Sequence, residues 1–196
     1  PVTLTASISN STSTDYITSA SVYSKEASTT HGSLTYNNIG YDSTKGVART
    51  YLKFDLTPLS DIRYDNILSA CYQTEELSHV TGSSIVEAYF VRSSWTESSI
   101  TWNNMPGYYG NEKICTYNIA NERPALGSPI EYTHNIYITR AVQAWKQGLY
   151  NYGIMLKEKD ENETVTGKSR KISSEENTTY PPCLIVTYTD DAESLQ

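Results

Sequence analysis

The segment VARTYLKFDL, residues 47–56, alternates apolar and polar side chains, and this pattern sets the strongest limit on the fold. Alternation with a period of two is typical of a β-strand with one buried face. It predicts that Ala48, Thr50, Leu52, Phe54 and Leu56 face a core. The opposite face is predicted to meet solvent and carries Val47, Arg49, Tyr51, Lys53 and Asp55.

Short segments of similar character recur along the chain, separated by polar loops. Seventeen tyrosines stand against two phenylalanines, and Ser, Thr and Asn are plentiful, which favours many short strands over helices. Residues 24–46 form a long polar region in which a short hairpin fits. Further strands are predicted near 15–23, 66–74, 83–92, 112–119, 130–136, 151–159, 165–173 and 182–189. The predicted fold is all-β, an antiparallel, jelly-roll-like β-sandwich.

One segment has the period of an α-helix instead. Apolar residues recur three and four positions apart at Ile138, Ala141, Val142 and Trp145. A short helix is therefore predicted over residues 139–147, with Thr139 as its N-cap and Gly148 near its C-terminus. A helix of about two turns does not persist alone, so Trp145 is predicted to anchor it in the core.

Length and charge limit the domain organisation and the partners. The 196 residues suffice for one domain, predicted over 15–189, with 1–14 as a linker or first strand and 190–196 as a disordered tail or linker. The abrupt start and polar end suggest neighbouring domains of a larger chain. The net charge of −7, without a basic run, argues against nucleic-acid binding. No apolar stretch approaches 18 residues, so no membrane insertion is expected.

The residues that most often carry chemistry are scattered. Cys71, Cys115 and Cys183 lie far apart without metal-ligand spacing, and free thiols are predicted, with one disulfide plus one thiol as the alternative. His31, His79 and His134 stand in separate segments and are predicted to be loop or surface histidines.

No catalytic motif is present, so the protein is predicted not to be an enzyme and to need no cofactor. The acidic stretches YDSTKG (41–46) and DENE (160–163) are loosely calcium-like. Neither has EF-hand spacing, and a solvated acidic loop explains both better. A structural calcium ion is allowed but not indicated.

The segment SSWTESSITWNNMPG, residues 93–107, has two interpretations. In the structural one, Ser94 and Glu97 form a capping box and Trp95 closes the sandwich as a lid. Trp102 packs inward with its indole N–H on a backbone carbonyl, while the amides of Asn103 and Asn104 bond to loop backbone. In the functional one, Trp102 stacks on a sugar ring and the two asparagines bind its hydroxyl groups.

Five pieces in order carry a family resemblance: RTYLKFDLTPL, ILSACYQT, WTESSITWNNMP, ITRAVQAWKQGLYNYGIMLK and SSEENTTYPPCLIVTY. The series resembles the DNRLRE domain family of secreted and wall-associated bacterial and archaeal proteins, which is related to a family of carbohydrate-binding modules. The resemblance implies a non-catalytic jelly-roll sandwich outside the cell. Because a motif shared by members with different ligands is better explained by architecture, it also favours the structural interpretation of residues 93–107.

Two functions from different classes remain open. The first is a carbohydrate-binding module whose ligand, a polysaccharide or cell-surface glycan, lies along the outward face of strand 47–56. Lys45, Arg49, Tyr51 and Lys53 would form its site, because an aromatic ring between cations suits a uronic acid. The second is a structural spacer in a long surface protein, without a small-molecule ligand.

Overall fold

The computed structural model describes residues 1–78, 82–119, 133–161 and 169–190. The described strands form two antiparallel sheets that make a sandwich. The strands are β1 (Val2–Ile8), β2 (Ile17–Tyr23), β3 (Tyr36–Asp42), β4 (Gly46–Phe54), β5 (Ile67–Glu75), β6 (Ser84–Val91), β7 (Tyr108–Ile119), β8 (Thr133–Tyr137), β9 (Ile154–Glu158), β10 (Arg170–Ser173) and β11 (Cys183–Asp190). The predicted all-β sandwich is confirmed.

The small sheet has the strand order β1-β11-β5-β8, and the large sheet has the order β10-β3-β4-β9-β6-β7, with β2 also paired to β4. β2 pairs with the whole of β4 from Ala48 to Phe54. β3 and β9 pair with separate parts of β4, at Gly46–Ala48 and at Thr50–Leu52. Since each position on an edge has one partner, β3 and β9 share one edge of β4 and β2 takes the other. The strand β3 lies within the predicted loop 24–46, as the first arm of a hairpin with β4.

Apolar side chains between the two sheets form the inner core. Leu52 and Phe54 of β4 point into it, as the alternation predicts, and meet residues such as Tyr72 and Leu184 of the small sheet. The helix α1 (Thr139–Lys146) packs Ala141, Val142 and Trp145 into the same core.

Trp145 is 7% exposed, and its ring lies 6.3 Å from that of Phe54 and 6.2 Å from that of Phe90. The predicted anchoring role of Trp145 is confirmed. The predicted N-cap is wrong, because the helix is preceded by Ile138 and the Thr139 hydroxyl instead accepts a hydrogen bond from the backbone N–H of Ala70 at 3.0 Å.

A second apolar layer lies on the other side of the large sheet. This outer cluster consists of Ala20, Val22, Tyr51, Tyr89, Val91, Trp95, Ile100 and Met155. The segment 93–107 covers it, so the large sheet is buried on both faces along β4. The expectation that the second face of β4 meets solvent is therefore wrong.

His31 lies on a loop, as predicted, but is buried, whereas His134 lies buried within β8 and neither on a loop nor at the surface. The Nε2 of His31 lies 2.9 Å from a carboxylate oxygen of Glu26. His134 lies between the Tyr117 hydroxyl, 2.9 Å from its Nδ1, and Glu76, 2.5 Å from its Nε2. Glu76 also pairs with the fully buried Arg170 at 3.2 Å. Buried charges require such partners, and contacts across distant segments supply them here.

Some predictions fall outside the described residues, namely those on His79, on Asn162 and Glu163 of the acidic stretch, and on the tail 191–196. The three cysteines lie as free thiols, with Cys71 buried and the other two half-buried. Within the described ranges no cluster of three or more metal-ligating side chains occurs. The helices of the described ranges are too short and too polar to cross a membrane.

Candidate carbohydrate-binding site

The predicted row of ligand-binding residues on β4 lies beneath a loop. Tyr51 is fully buried, and its hydroxyl donates a hydrogen bond of 2.8 Å to the carbonyl of Pro106. Its ring meets that of Trp95 edge to face, with centroids 5.8 Å apart. The predicted exposure of the Tyr51 ring is therefore wrong, because segment 93–107 packs against that ring.

The guanidinium group of Arg49 contacts a carboxylate and two aromatic rings of the protein. Its Nε and Nη2 donate bonds of 2.8 and 2.9 Å to the two carboxylate oxygens of Glu161. Its guanidinium carbon lies 5.1 Å from the ring centroid of Trp102 and 5.6 Å from that of Tyr108. The bidentate hydrogen bonding that a uronate would need from Arg49 is therefore already taken by Glu161.

The two lysines of the row lie at opposite ends of β4. Lys45 precedes the strand, and its ammonium lies 4.9 Å from the ring centroid of Tyr23. The ammonium of Lys53 donates to the carbonyl of Trp95 at 3.0 Å and lies 4.9 Å from the centroid of the Trp95 ring. The four residues do not come together as one exposed stripe, and a ligand-binding role for them stays a prediction.

Segment 93–107 is closer to its structural interpretation. Trp95 is 6% exposed, and its indole N–H donates to the carbonyl of Tyr152 at 2.8 Å. The Asn104 amide bonds to the backbone of Thr101 and Ser99, as predicted, whereas the Asn103 amide donates to the Ser28 hydroxyl at 3.0 Å and not to backbone. These contacts make the segment a fixed cover for the outer cluster.

Three details of that segment differ from the prediction. The turn starts at Thr96, whose carbonyl accepts from the N–H groups of Ser99 and Ile100, so the capping box of Ser94 and Glu97 does not set it. Glu97 instead packs against Gly32, where a Cβ atom would lie 2.3 Å from its Cγ. Trp102 is half-buried, and within the described ranges its indole N–H has no carbonyl partner.

Two exposed aromatic side chains, Tyr109 and Tyr150, lie elsewhere, at one end of the large sheet. We call this the binding end: β2, β9 and β7 begin there, and β4 and β6 finish there, because neighbouring strands run antiparallel. The connection 147–153 between α1 and β9 crosses this end. It reaches β9 through Gly153, whose φ of +83° and approach to the Leu52 carbonyl leave no room for a Cβ atom.

An aromatic cleft of about 60 Å³ lies on one side of this connection. Its lining residues are Phe90, Val91, Tyr109, Leu149, Tyr150 and Tyr152. Tyr150 is 79% exposed, and its ring stacks on that of Tyr152 at a centroid distance of 5.9 Å with 14° between the planes. Tyr109, 42% exposed, carries the guanidinium of Arg92 at 4.8 Å from its ring centroid.

A polar cleft of about 210 Å³ lies on the other side of the connection. It is lined by Asp15, Tyr16, Thr18, Lys53, Phe54, Asp55 and Asn151. Consecutive residues of the connection thus line both clefts, with Tyr150 and Tyr152 on the aromatic side and Asn151 on the polar side. The Asn151 amide fixes the wall between them, since it donates to the Phe54 carbonyl at 2.7 Å and accepts from the Gly153 N–H at 3.1 Å.

The sequence analysis did not select the residues of either cleft apart from Lys53. The available signal was LYNYG, residues 149–153, which places two tyrosines just before a strand and just after a helix. Their convergence with Tyr109, some forty positions earlier, required the tertiary structure.

Comparison with known proteins identifies the family. No curated protein sequence matches the chain. The family model of carbohydrate-binding module family 96 matches residues 10–188, a range that holds every described strand except β1 and the end of β11, the helix and both clefts. The name of the DNRLRE family is not confirmed by this match, but the predicted relationship to carbohydrate-binding modules is. The chain belongs to carbohydrate-binding module family 96.

Proposed function

We propose that the protein is a non-catalytic, extracellular module that binds an acidic polysaccharide at the aromatic cleft. Family membership supports carbohydrate as the ligand class. The cleft supports the place, because it is concave, rich in aromatic surface and lies at an end of the sandwich that a long chain can cross. It is too small to enclose a ligand, which suits a polymer bound along the surface.

Stacking would be supplied by tyrosines. Tyr150 is the most exposed of the large hydrophobic side chains in the described ranges, and the nearly parallel ring of Tyr152 holds it. An aromatic face offers apolar surface to the C–H face of a sugar ring, while the phenol hydroxyl remains available for hydrogen bonds. Since Trp95 fixes the backbone of Tyr152, this platform is set before the ligand arrives.

Arg92 carries the argument for an acidic ligand. Its guanidinium rests on the exposed ring of Tyr109, and within the described ranges no carboxylate pairs with it. Arg49, by contrast, already holds Glu161 with two hydrogen bonds. A guanidinium without a counter-ion beside an aromatic platform offers a uronate both a stacking surface and a two-pronged partner.

The test is calorimetry with hexagalacturonate at low and physiological salt, on the wild type and on two variants. Tyr150→Ala should weaken binding about tenfold or more, because an aromatic ring that stacks on a sugar contributes on the order of 1–2 kcal/mol of binding free energy. Arg92→Ala should also weaken binding about tenfold, and Arg92→Lys should restore only part of it, since an ammonium lacks the planar fork. Affinity should fall as salt rises.

Matched controls come from exposed residues away from the cleft. Tyr137→Ala removes another exposed tyrosine, at the end of edge strand β8, and Arg63→Ala removes an exposed arginine between β4 and β5. Both should bind like the wild type. Absence of heat with millimolar hexagalacturonate, or equal losses in the cleft variants and their controls, would leave the spacer function as the better explanation.

A further inference from the structure

We infer that the polar cleft is a second carbohydrate site and that it takes a neutral sugar residue through a vicinal diol. It lies at the same binding end as the aromatic cleft but has different chemistry. Its side chains offer both hydrogen-bond donors and acceptors, whereas the aromatic cleft offers ring faces and a cation. The inference does not depend on the acidic ligand proposed above.

The hydrogen-bond acceptors of the polar cleft are carboxylates. Asp15 is exposed and has no hydrogen-bond or ion-pair partner within the described ranges. Asp55 lines the cleft and uses its Oδ1 to hold the N–H and hydroxyl of Thr57, while its Oδ2 has no hydrogen-bond partner within the described ranges. The backbone N–H of Asp55 bonds to the Tyr16 carbonyl at 2.7 Å, so the two acidic residues are brought together by adjacent strand ends.

The donor side is supplied by Lys53. Its ammonium uses one N–H on the Trp95 carbonyl and has two more. The Thr18 hydroxyl, without a described partner, can donate or accept. A sugar hydroxyl is itself both donor and acceptor, so a pair of neighbouring hydroxyls satisfies carboxylate and ammonium together.

The charge of the cleft selects against other ligands. Two carboxylates face one ammonium, and Glu97 interacts electrostatically with both Asp15 and Lys53. This excess of negative charge disfavours an anionic sugar. The ammonium within the same cleft disfavours a bare divalent cation, which would also need more oxygen ligands than the two carboxylates supply. A neutral polyol is the ligand that fits both constraints.

The size agrees with one sugar residue of a longer chain. The volume of about 210 Å³ is below that of pockets that enclose drug-sized molecules, which begin at roughly 300 Å³. The half-buried Tyr16 supplies apolar wall, so the site does not rest on polar groups alone.

The experiment follows backbone amide signals by ¹⁵N–¹H NMR while mannohexaose, xylohexaose, hexagalacturonate or Ca²⁺ is added. With at least one neutral hexasaccharide, the signals of Asp15, Thr18 and Asp55 should move. Asp15→Asn should weaken that binding about tenfold, because hydrogen bonds to charged groups are the stronger ones. The same variant should leave hexagalacturonate binding unchanged. Asp61→Asn, which removes an exposed carboxylate outside the cleft, should change neither.

Any of four results would overturn the second site. The first is that neutral hexasaccharides at millimolar concentration leave the cleft amides unmoved, the second is that Asp15→Asn binds them like the wild type, and the third is that Ca²⁺ alone moves those amides. Failure of the aromatic cleft is read separately, from hexagalacturonate and the Tyr109 and Tyr150 signals. Loss of both ligands on Asp15→Asn would show one shared site and would also overturn the inference.

Discussion

The two faces of strand β4 are both buried, but different structures cover them. Leu52 and Phe54 face the inner core, where the cover is a second regular sheet. Tyr51 faces the outer cluster, where the cover is the irregular segment 93–107. A period of two tells which side chains share a face, but it does not tell whether solvent, a sugar or the chain itself lies above that face.

Cationic side chains that contact aromatic rings also differ between the outer face of β4 and the end of the large sheet. Arg49 lies against Trp102 and Tyr108, and Lys53 lies over Trp95, so both fasten the cover to the sheet. Arg92, only one residue beyond β6, rests on an exposed tyrosine at the binding end. Cation and aromatic pairs therefore serve structure on the outer face and, in our proposal, ligand binding at its end.

The largest expected effect tests the inner core. Trp145→Ala should lower the free energy of unfolding by about 3–5 kcal/mol, because it empties the space between Phe54 and Phe90 and removes the anchor of α1. Urea denaturation measures the loss. Tyr137→Ala, on an exposed side chain, should change stability by less than about 0.5 kcal/mol. Coinciding urea midpoints for Trp145→Ala and the wild type would contradict the anchoring role.

The next prediction compares two arginines. Arg49→Ala should cost about 2 kcal/mol of stability, because the half-buried Glu161 loses both hydrogen bonds and, among the described residues, keeps Lys157 at 3.8 Å as its remaining ion-pair partner. Arg92→Ala should leave the unfolding midpoint within about 0.5 kcal/mol of the wild type. The reverse order in urea denaturation would show that the outer face is not held as described.

We expect the stability of the protein to depend on pH through Glu175, which is hydrogen-bonded to Ser19 of β2. Burial raises the pKa of Glu175 from 4.5 to about 7, while the N–H and hydroxyl of Ser19 donate to its carboxylate. The unfolded chain therefore loses this proton at lower pH than the folded one. The contribution of Glu175 to stability should therefore be fully present below about pH 4.5 and be lost as the pH rises through about 7.

Chemical denaturation at a series of pH values measures that slope. Glu175→Gln should flatten the part of the slope between pH 4.5 and 7, since the amide does not titrate. Glu176→Gln, at the exposed neighbouring position, should retain it. A slope that is the same in Glu175→Gln and the wild type would assign the pH dependence to other groups.

The smallest effect concerns the outer cluster. Tyr51→Phe should cost about 1 kcal/mol, because only the hydrogen bond to the Pro106 carbonyl is lost while the ring keeps its contact with Trp95. Binding of hexagalacturonate should not change. A strong loss of affinity without a loss of stability would indicate that Tyr51 contacts the ligand. It would also mean that segment 93–107 does not cover Tyr51 at all times.

Most of the architecture follows from local pattern. The strands near 17–23, 46–54, 67–75, 84–91 and 183–190 and the helix at 139–146 lie within two residues of their predicted bounds. The two faces of β4 also separate as predicted, because successive side chains of a strand point to opposite sides. The strand β3 could be anticipated only as part of a possible hairpin, since the polar segment YNNIGYD lacks apolar alternation.

The site required information that no local pattern carries. Arg49 meets Glu161 and Tyr51 meets Pro106 across long separations in sequence, so their burial depends on how distant segments pack. The two clefts exist because the α1–β9 connection crosses the end of the large sheet between strand ends from four other parts of the chain. The sequence by itself determined which side chains share a face, because backbone geometry sets that relation. Only the tertiary structure decided what covers each face, because long-range packing places segment 93–107 over the outer face of β4 and leaves Tyr109 and Tyr150 exposed.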